Sequence, residues 1–456
     1  WSFKYPLARR TIGTSEDSAM ARRRQNTPLR IFLHDSEVGL LLKDPSGAIS
    51  FKYAGAWLSK ENAVPVSLSL PLREDLFRGA PVQAVFENLL PDSEHLRRAV
   101  AEKVGAQGTD AYSLLSQIGR DCVGALQFGP DGEEVDRSPG ICGEILDERT
   151  IEDLLDNLVR APLGLDGRTE FRISIAGAQE KTALLKYNGQ WMKPHGVTPT
   201  SHIIKKQMGR LPNGMDLSNS VENEFYCLKL LGAFGLPVNS AEIIRFGAHL
   251  VLVVERFDRK WTAPDRLIRL PQEDCCQALS VPPGQKYQNL GGPGMVNILD
   301  LLKGADFPWD DQRTFLKAQV LFWLIGATDG HAKNFSIFLG PRGRFRMTPL
   351  YDVLSAQPSL DQHQISRKDM KLAMSVGDSR HYRLDEIEGR HFLQTVKRSR
   401  LPESLAVGVL REVAESAAKA LATMESQLPG NFPADIHASI AQGVRSRLSQ
   451  LEAWLK

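Results

Sequence analysis

Apolar and polar positions along this chain fall into two regimes. From Leu29 the apolar runs are short and strand-like: residues 29–33, 38–42 and 49–53 are joined by polar links, with Asp44-Pro45-Ser46-Gly47 as a turn. Residues 66–70 alternate serine with apolar side chains, the pattern of a half-buried strand. Helical stretches are predicted over 91–104, capped by Asp92, over 111–118, and over 150–160, with Thr150 and Asp153 at capping-box spacing. Two β-like segments, 171–175 and 182–187, then enclose a loop of small residues, and residues 200–205 form a strand ending on Lys205. Helical periodicity through Val221, Phe225, Leu228 and Leu231 marks 220–234, followed by strands 241–244 and 249–254. From Phe315 the pattern turns helical, and two long helices, 404–425 and 435–455, are bounded by Pro429-Gly430 and Pro433. The expected fold is therefore α+β.

Composition narrows the picture only slightly. A chain of 456 residues is long enough for two or three cores, and 42% hydrophobic with 24% charged residues is ordinary for a globular protein. No run is long enough to cross a bilayer, so no membrane association is expected. A formal net charge of +2 does not identify a nucleic-acid binder. Five cysteines lack zinc-site spacing and read as reduced thiols of a cytoplasmic protein. Trp1 to Ala19 has no signal-peptide core and reads as a tag or upstream sequence before Met20.

Candidate chemistry centres on Leu321 to Asn334, LFWLIGATDGHAKN, where a buried-type run ends in Asp329, His331, Lys333 and Asn334. A second apolar segment delivers Tyr351 and Asp352. Asp-x-x-x-x-Asn with a later Asp suits phosphoryl transfer: one carboxylate accepts the proton of the attacking hydroxyl, while the amide oxygen and second carboxylate hold Mg²⁺. Taken alone, the spacing equally fits loop caps. Ala176-Gly177-Ala178-Gln179-Glu180-Lys181 reads as a loop able to fold over phosphates, or as a plain hairpin; it is not a Walker A loop. Lys205 would contact the α- and β-phosphates, with Glu222 or Glu224 either orienting it or complementing the helix dipole. Glu255, Arg256 and Phe257 stand where a hinge grips adenine. Loop, lysine, helix, hinge, Asp/Asn and Asp follow one another in a kinase's order.

At these residues the sequence resembles the HipA family of bacterial serine/threonine kinases, toxins of HipA–HipB toxin–antitoxin pairs. The matching pieces are Ser174 to Lys181, Pro199-Thr200-Ser201-His202-Ile203-Ile204-Lys205, Val254 to Arg259, Arg269-Leu270-Pro271-Gln272-Glu273-Asp274, Gly326 to Asn334, and Tyr351-Asp352. The resemblance implies a protein-kinase-like two-lobe fold with an N-terminal α+β subdomain (20–140), an N-lobe with phosphate loop and hinge (141–260) and an all-helical C-terminal lobe (261–456). It implies Asp329 as catalytic base, Asn334 and Asp352 as metal ligands, and ATP contacts from Ala176, Gly177, Ala178, Gln179, Glu180, Lys181, Lys205, Glu255, Arg256, Phe257, His331, Ala332, Lys333, Asn334, Tyr351 and Asp352. It further implies autophosphorylation of Ser174, ATP and Mg²⁺ as cofactors, glutamyl-tRNA synthetase as protein substrate, and a HipB-type helix-turn-helix antitoxin dimer as partner on operator DNA. Localisation would be cytoplasmic, at the nucleoid when bound to antitoxin and DNA. Arg380 and Arg383, in a basic loop-like segment, are candidate DNA contacts. Two other readings are a catalytically silent co-repressor module and a small-molecule kinase of the aminoglycoside type.

Overall fold

The computed structural model describes residues 26–130, 140–165, 173–176, 179–211 and 214–456. Trp1 to Ala19, Phe171 and Arg172 of the expected strand 171–175, and the expected nucleotide contacts Gly177 and Ala178 lie outside the described residues.

The N-terminal region is an antiparallel five-stranded sheet in the order Phe77–Arg78, Ile49–Tyr53, Ser36–Lys43, Leu29–Leu33, Leu126–Pro130. Alternation places Leu29, Ile31 and Leu33 with Leu41, Phe51 and Phe128 on a buried face. Helices Ala80–Glu87, Glu94–Val104 and Ala111–Ile118 cover that face through Phe86, Val100 and Leu115. Residues 66–70 are not a strand: apart from a Ser67–Leu70 bridge, their polar groups bond one another (Ser67 and Ser69), the Gln277 carbonyl and the side chains of Tyr53 and Glu273. The Tyr53 hydroxyl bonds Val66 N and Leu70 O, and Glu273 accepts from Leu68 N at 2.8 Å. The helix expected from 91 begins at Glu94, with Ser93 as cap, because the Asp92 carboxylate is drawn instead to Lys286 at 2.7 Å. Likewise Asp147, not Thr150, caps helix Glu148–Asp156.

A second antiparallel sheet has the order Ala241–Phe246, His249–Glu255, His202–Lys206, Lys181–Tyr187, Gln190–Pro194, Gly143–Leu146. Helix Glu148–Asp156 covers one face, meeting Val251, Val253, Ile204 and Leu184; helix Ser220–Ala233 shares a core with Leu252 and Val254 on the other. Burial on both faces explains the unbroken apolar run of residues 250–254. Ile204 faces the first helix, so period-two alternation turns Lys205 toward the second. Lys181 lies opposite Lys205 across the strand pair.

Among the described residues, 173–176 do not form a hairpin with Lys181–Tyr187. Ile173 instead bridges Asp121 in parallel, and Ile173 and Ile175 belong to the core of the N-terminal sheet. Apolar Ile173 and Ile175 gain more from that preformed core than from an edge pairing.

The C-terminal region is built on helix Pro308–Ile325, buried nearly all round and packed by helices Glu403–Gln427, Ala434–Leu455 and Gly389–Arg398. It is helical in bulk but not throughout. Strands Gln272–Asp274, Ser336–Leu339 and Phe345–Met347 form a small sheet, and Lys371–Val376 pairs with His381–Arg383. These short strands satisfy the backbone on either side of the Asp329 loop, which a continuous helix would carry past the cleft. Among the described residues no helix is long and apolar enough to cross a membrane.

Candidate active site

Helix Pro308–Ile325 stops at Gly326, whose φ of 72° is left-handed and suits glycine. The chain then turns through Asp329 into a short 3₁₀ turn, Ala332–Asn334. Gly330 is needed for room, since a Cβ there would lie 2.5 Å from the Phe322 ring. Asn334 donates its amide nitrogen to the carbonyls of Asp329 (3.1 Å) and Asp352 (3.2 Å), stapling both acidic segments together and leaving its oxygen as the group for a cation. Asp352 itself has φ of 58°, a left-handed backbone that aspartate tolerates better than most residues.

Opposite, the Lys205 Nζ lies 2.7 Å from Glu224 and 2.7 Å from Asp352. Of the two glutamates considered for orienting Lys205, it is Glu224 that does so, while Glu222 accepts from Gln207. Burial lowers the Lys205 ammonium, but two carboxylates outweigh it and hold the proton above the ordinary lysine range. Burial pushes Glu224 up, since it shares its cation. At Asp352, Lys205 and Lys181 outweigh burial and keep the carboxyl well below the usual range. Lys181, bonded to the Ala176 carbonyl at 2.6 Å, is lowered to about 8, chiefly by burial.

These groups line one cleft of about 580 Å³, large enough for a nucleotide-sized ligand. Ala176, Gln179, Glu180, Lys181, Lys205, Arg256, Phe257, Asp329, His331, Lys333, Asn334, Tyr351 and Asp352 all contribute to its wall. Phe257 and Tyr351 meet with ring centroids 5.5 Å apart. The side chains of Glu255 and Ala332 do not line it: Glu255 is exposed and Ala332 is buried behind it. Lys333 is committed to Asn88 (2.7 and 3.0 Å) and Asp274 (3.1 Å), tying the Asp329 loop to the N-terminal region. Arg256 is likewise structural, fully enclosed by Asp258 and Asp121. Burial pushes Asp329 above the ordinary carboxylate range, and burial lowers His331 to about 4, so its imidazole is neutral.

Ser174 stands apart from the cleft. It is fully buried, its hydroxyl donating to the Leu89 carbonyl at 2.7 Å and its N–H to the Asp121 carbonyl at 3.0 Å. Arg380 is exposed in the turn of the last hairpin, whereas Arg383 is paired with Asp385 (2.6 Å) and Glu386 (3.1 Å).

Sequence reasoning passed over Lys286 and Tyr287, which overhang Asp329, and treated Asp92 only as a cap. A signal was present: one cation and one aromatic in the turn-rich stretch VPPGQKYQNLGGPG, where buried packing does not explain them.

Residues 29–129 match the model of the HipA N-terminal domain, and residues 173–421 that of the HipA-like C-terminal domain. The chain belongs to the HipA family. Y4mE of Sinorhizobium fredii, named as a candidate kinase, is 35% identical over 382 residues, covering 82% of this chain and 89% of that one. The serine/threonine-protein kinase toxin HipA of Shewanella oneidensis is 27% identical over 416 residues, covering 88% and 90%. The solved complex of Shewanella oneidensis MR-1 HipA, HipB and operator DNA contains a chain that matches with a TM-score of 0.77 at 23% identity, covering 93% of this chain and 97% of that one. The fold is that α+β, kinase-like one.

Proposed function

We propose that the chain is a Mg²⁺- and ATP-dependent serine/threonine protein kinase, the toxin of a toxin–antitoxin pair. The observation that carries the reading is Lys205, held between Glu224 and Asp352 in the same cleft as Asp329 and Asn334. A lysine fixed by a helix glutamate suits the α- and β-phosphates, and Phe257 and Tyr351 offer flat faces for adenine. Asp352 and Asn334 are hard oxygen donors, a sparse set that fits Mg²⁺, an ion that keeps several waters and shares phosphate oxygens. The ion, when bound, neutralises charge on the terminal phosphates. Asp329 then takes the proton of the acceptor hydroxyl as that oxygen bonds the γ-phosphorus and ADP leaves. A base raised above the ordinary carboxylate range suits that task.

Ser174 would be an acceptor only after residues 173–176 leave the N-terminal core. Its phosphate, about −1.5 to −2 charges, would not fit back against the Leu89 carbonyl. Such a change would keep the Ala176–Lys181 loop away from ATP. The expected protein substrate is glutamyl-tRNA synthetase, and the expected partner a HipB-type dimer on operator DNA, in the cytoplasm; a relative's complex with HipB and DNA supports the pairing. Of the two arginines, exposed Arg380 is the better phosphate contact, because Arg383 is already neutralised.

Asp329→Gln tests the reading. Phosphate incorporation from γ-labelled ATP, at Ser174 included, should fall by about 10²–10⁴ with the fold unchanged. Labelling at the normal rate would remove Asp329 from the chemistry.

A further inference from the structure

Asp329, the carboxylate assigned as base, is exposed, but one of its two oxygens is already engaged. Oδ1 of Asp329 accepts a hydrogen bond from the Tyr287 hydroxyl at 2.5 Å. An acceptor hydroxyl must stand within this same reach of the base to surrender its proton. Tyr287 lies on the stretch 281–294, between helix Cys275–Ala278 and helix Met295–Leu301. Its two neighbours are pinned: Lys286 pairs with Asp92 at 2.7 Å, and Gln288 Oε1 accepts from Ser375 N at 2.7 Å and Ser375 Oγ at 3.1 Å. The Tyr287 carbonyl accepts from Leu290 N and Gly292 N, both at 3.0 Å. With the backbone held, rotation of the side chain is the movement left. The ring is only half-buried, edge-on to His331 at 4.9 Å, with the Lys286 ammonium 5.6 Å from its centroid.

We propose that Tyr287 occupies the acceptor-hydroxyl position at Oδ1 of Asp329 and competes for it with water and with an acceptor chain, which must displace the phenol. The proposal rests on the kinase reading and names a specificity-determining residue of the same site. Serine carries its hydroxyl far closer to its main chain than tyrosine does. A chain presenting serine to Asp329 must therefore enter the volume of the Tyr287 ring, and the two cannot coexist.

The test compares wild type, Tyr287→Phe and Tyr287→Ala with two acceptors, water and myelin basic protein. Phe removes the hydrogen bond and keeps the ring; Ala removes both. Hydrolysis of ATP without protein acceptor should rise by about tenfold in Tyr287→Phe, the equivalent of one charge-assisted hydrogen bond, and further in Tyr287→Ala. KM for myelin basic protein should fall. Hydrolysis and KM at wild-type values, or a loss of both activities in the Phe variant, would overturn the gate while leaving the kinase reading in place. A wild type that transfers no phosphate from ATP to either acceptor would overturn the kinase reading and this inference with it.

Discussion

Two clusters of buried charge stand a few residues apart in this molecule, and they are built to opposite ends. At the junction of the N-terminal region and the hinge, Asp121 receives Arg259 (2.8 Å), Arg269 (2.9 Å) and Arg256 (3.3 Å), and also the Thr200 hydroxyl at 2.6 Å. Asp258 takes the other faces of Arg256 (2.8 Å) and Arg259 (2.9 Å) and accepts from Gly124 N at 2.7 Å. Its carboxylates and guanidinium groups are all matched within the protein. The cleft holds more charges, yet Asp92 Oδ1 and His331 Nδ1 are buried there without a hydrogen-bond partner, and Lys205 spans two carboxylates. A closed network fixes geometry, whereas an open one keeps groups in reserve for a ligand.

Asp121→Ala should separate the two most sharply. It strands the buried Arg269 guanidinium and leaves Arg256 and Arg259 with Asp258 alone, and the loss of stability should be about 3–5 kcal/mol by denaturant titration. A loss below about 1 kcal/mol would mean that the junction is not held by these ions. Lys205→Met should act the other way round. Glu224, already pushed up by burial, takes a proton once its cation is gone, which limits the stability loss to about 2 kcal/mol. Phosphoryl transfer should meanwhile drop by about 10²–10³; a variant equally destabilised but fully active would assign Lys205 to structure.

The smallest effect, and the most diagnostic, is on pH. Asp121 and Asp352 are depressed, in each case because their cations outweigh burial. Their stabilisation is present above the ordinary carboxylate value of about 4 and is lost as pH falls through their lower folded values. Asp329 is raised, so its contribution has the opposite sign: present in acid, lost as pH rises through its folded value. Activity depends on ionised Asp329 and should therefore fail, on acidification, at a pH where circular dichroism still reports a folded protein. Coincident loss of activity and fold would contradict the contrast between the two clusters.

Much of this was legible in the linear chain. Local patterns mark the strands at 29–33 and 49–53, the helix at 220–233 and both long C-terminal helices, because alternation and 3.6-residue periodicity are properties of neighbouring residues. Asp329 and Asn334 were readable as neighbours in one loop, but their spacing fitted loop caps as well, and it was the family resemblance that gave them and Asp352 a role. Tertiary structure decided what depends on partners distant in sequence. It chose Glu224 over Glu222, sent Asp92 to Lys286 rather than to a helix end, and fastened Ser174 under Leu89. It also tied the Arg256 side chain into the lobe junction, and brought Tyr287 onto Asp329 from 42 residues away. A side chain's type limits the bonds it is able to make, but which bond forms depends on what the folded chain brings within 3 Å of it.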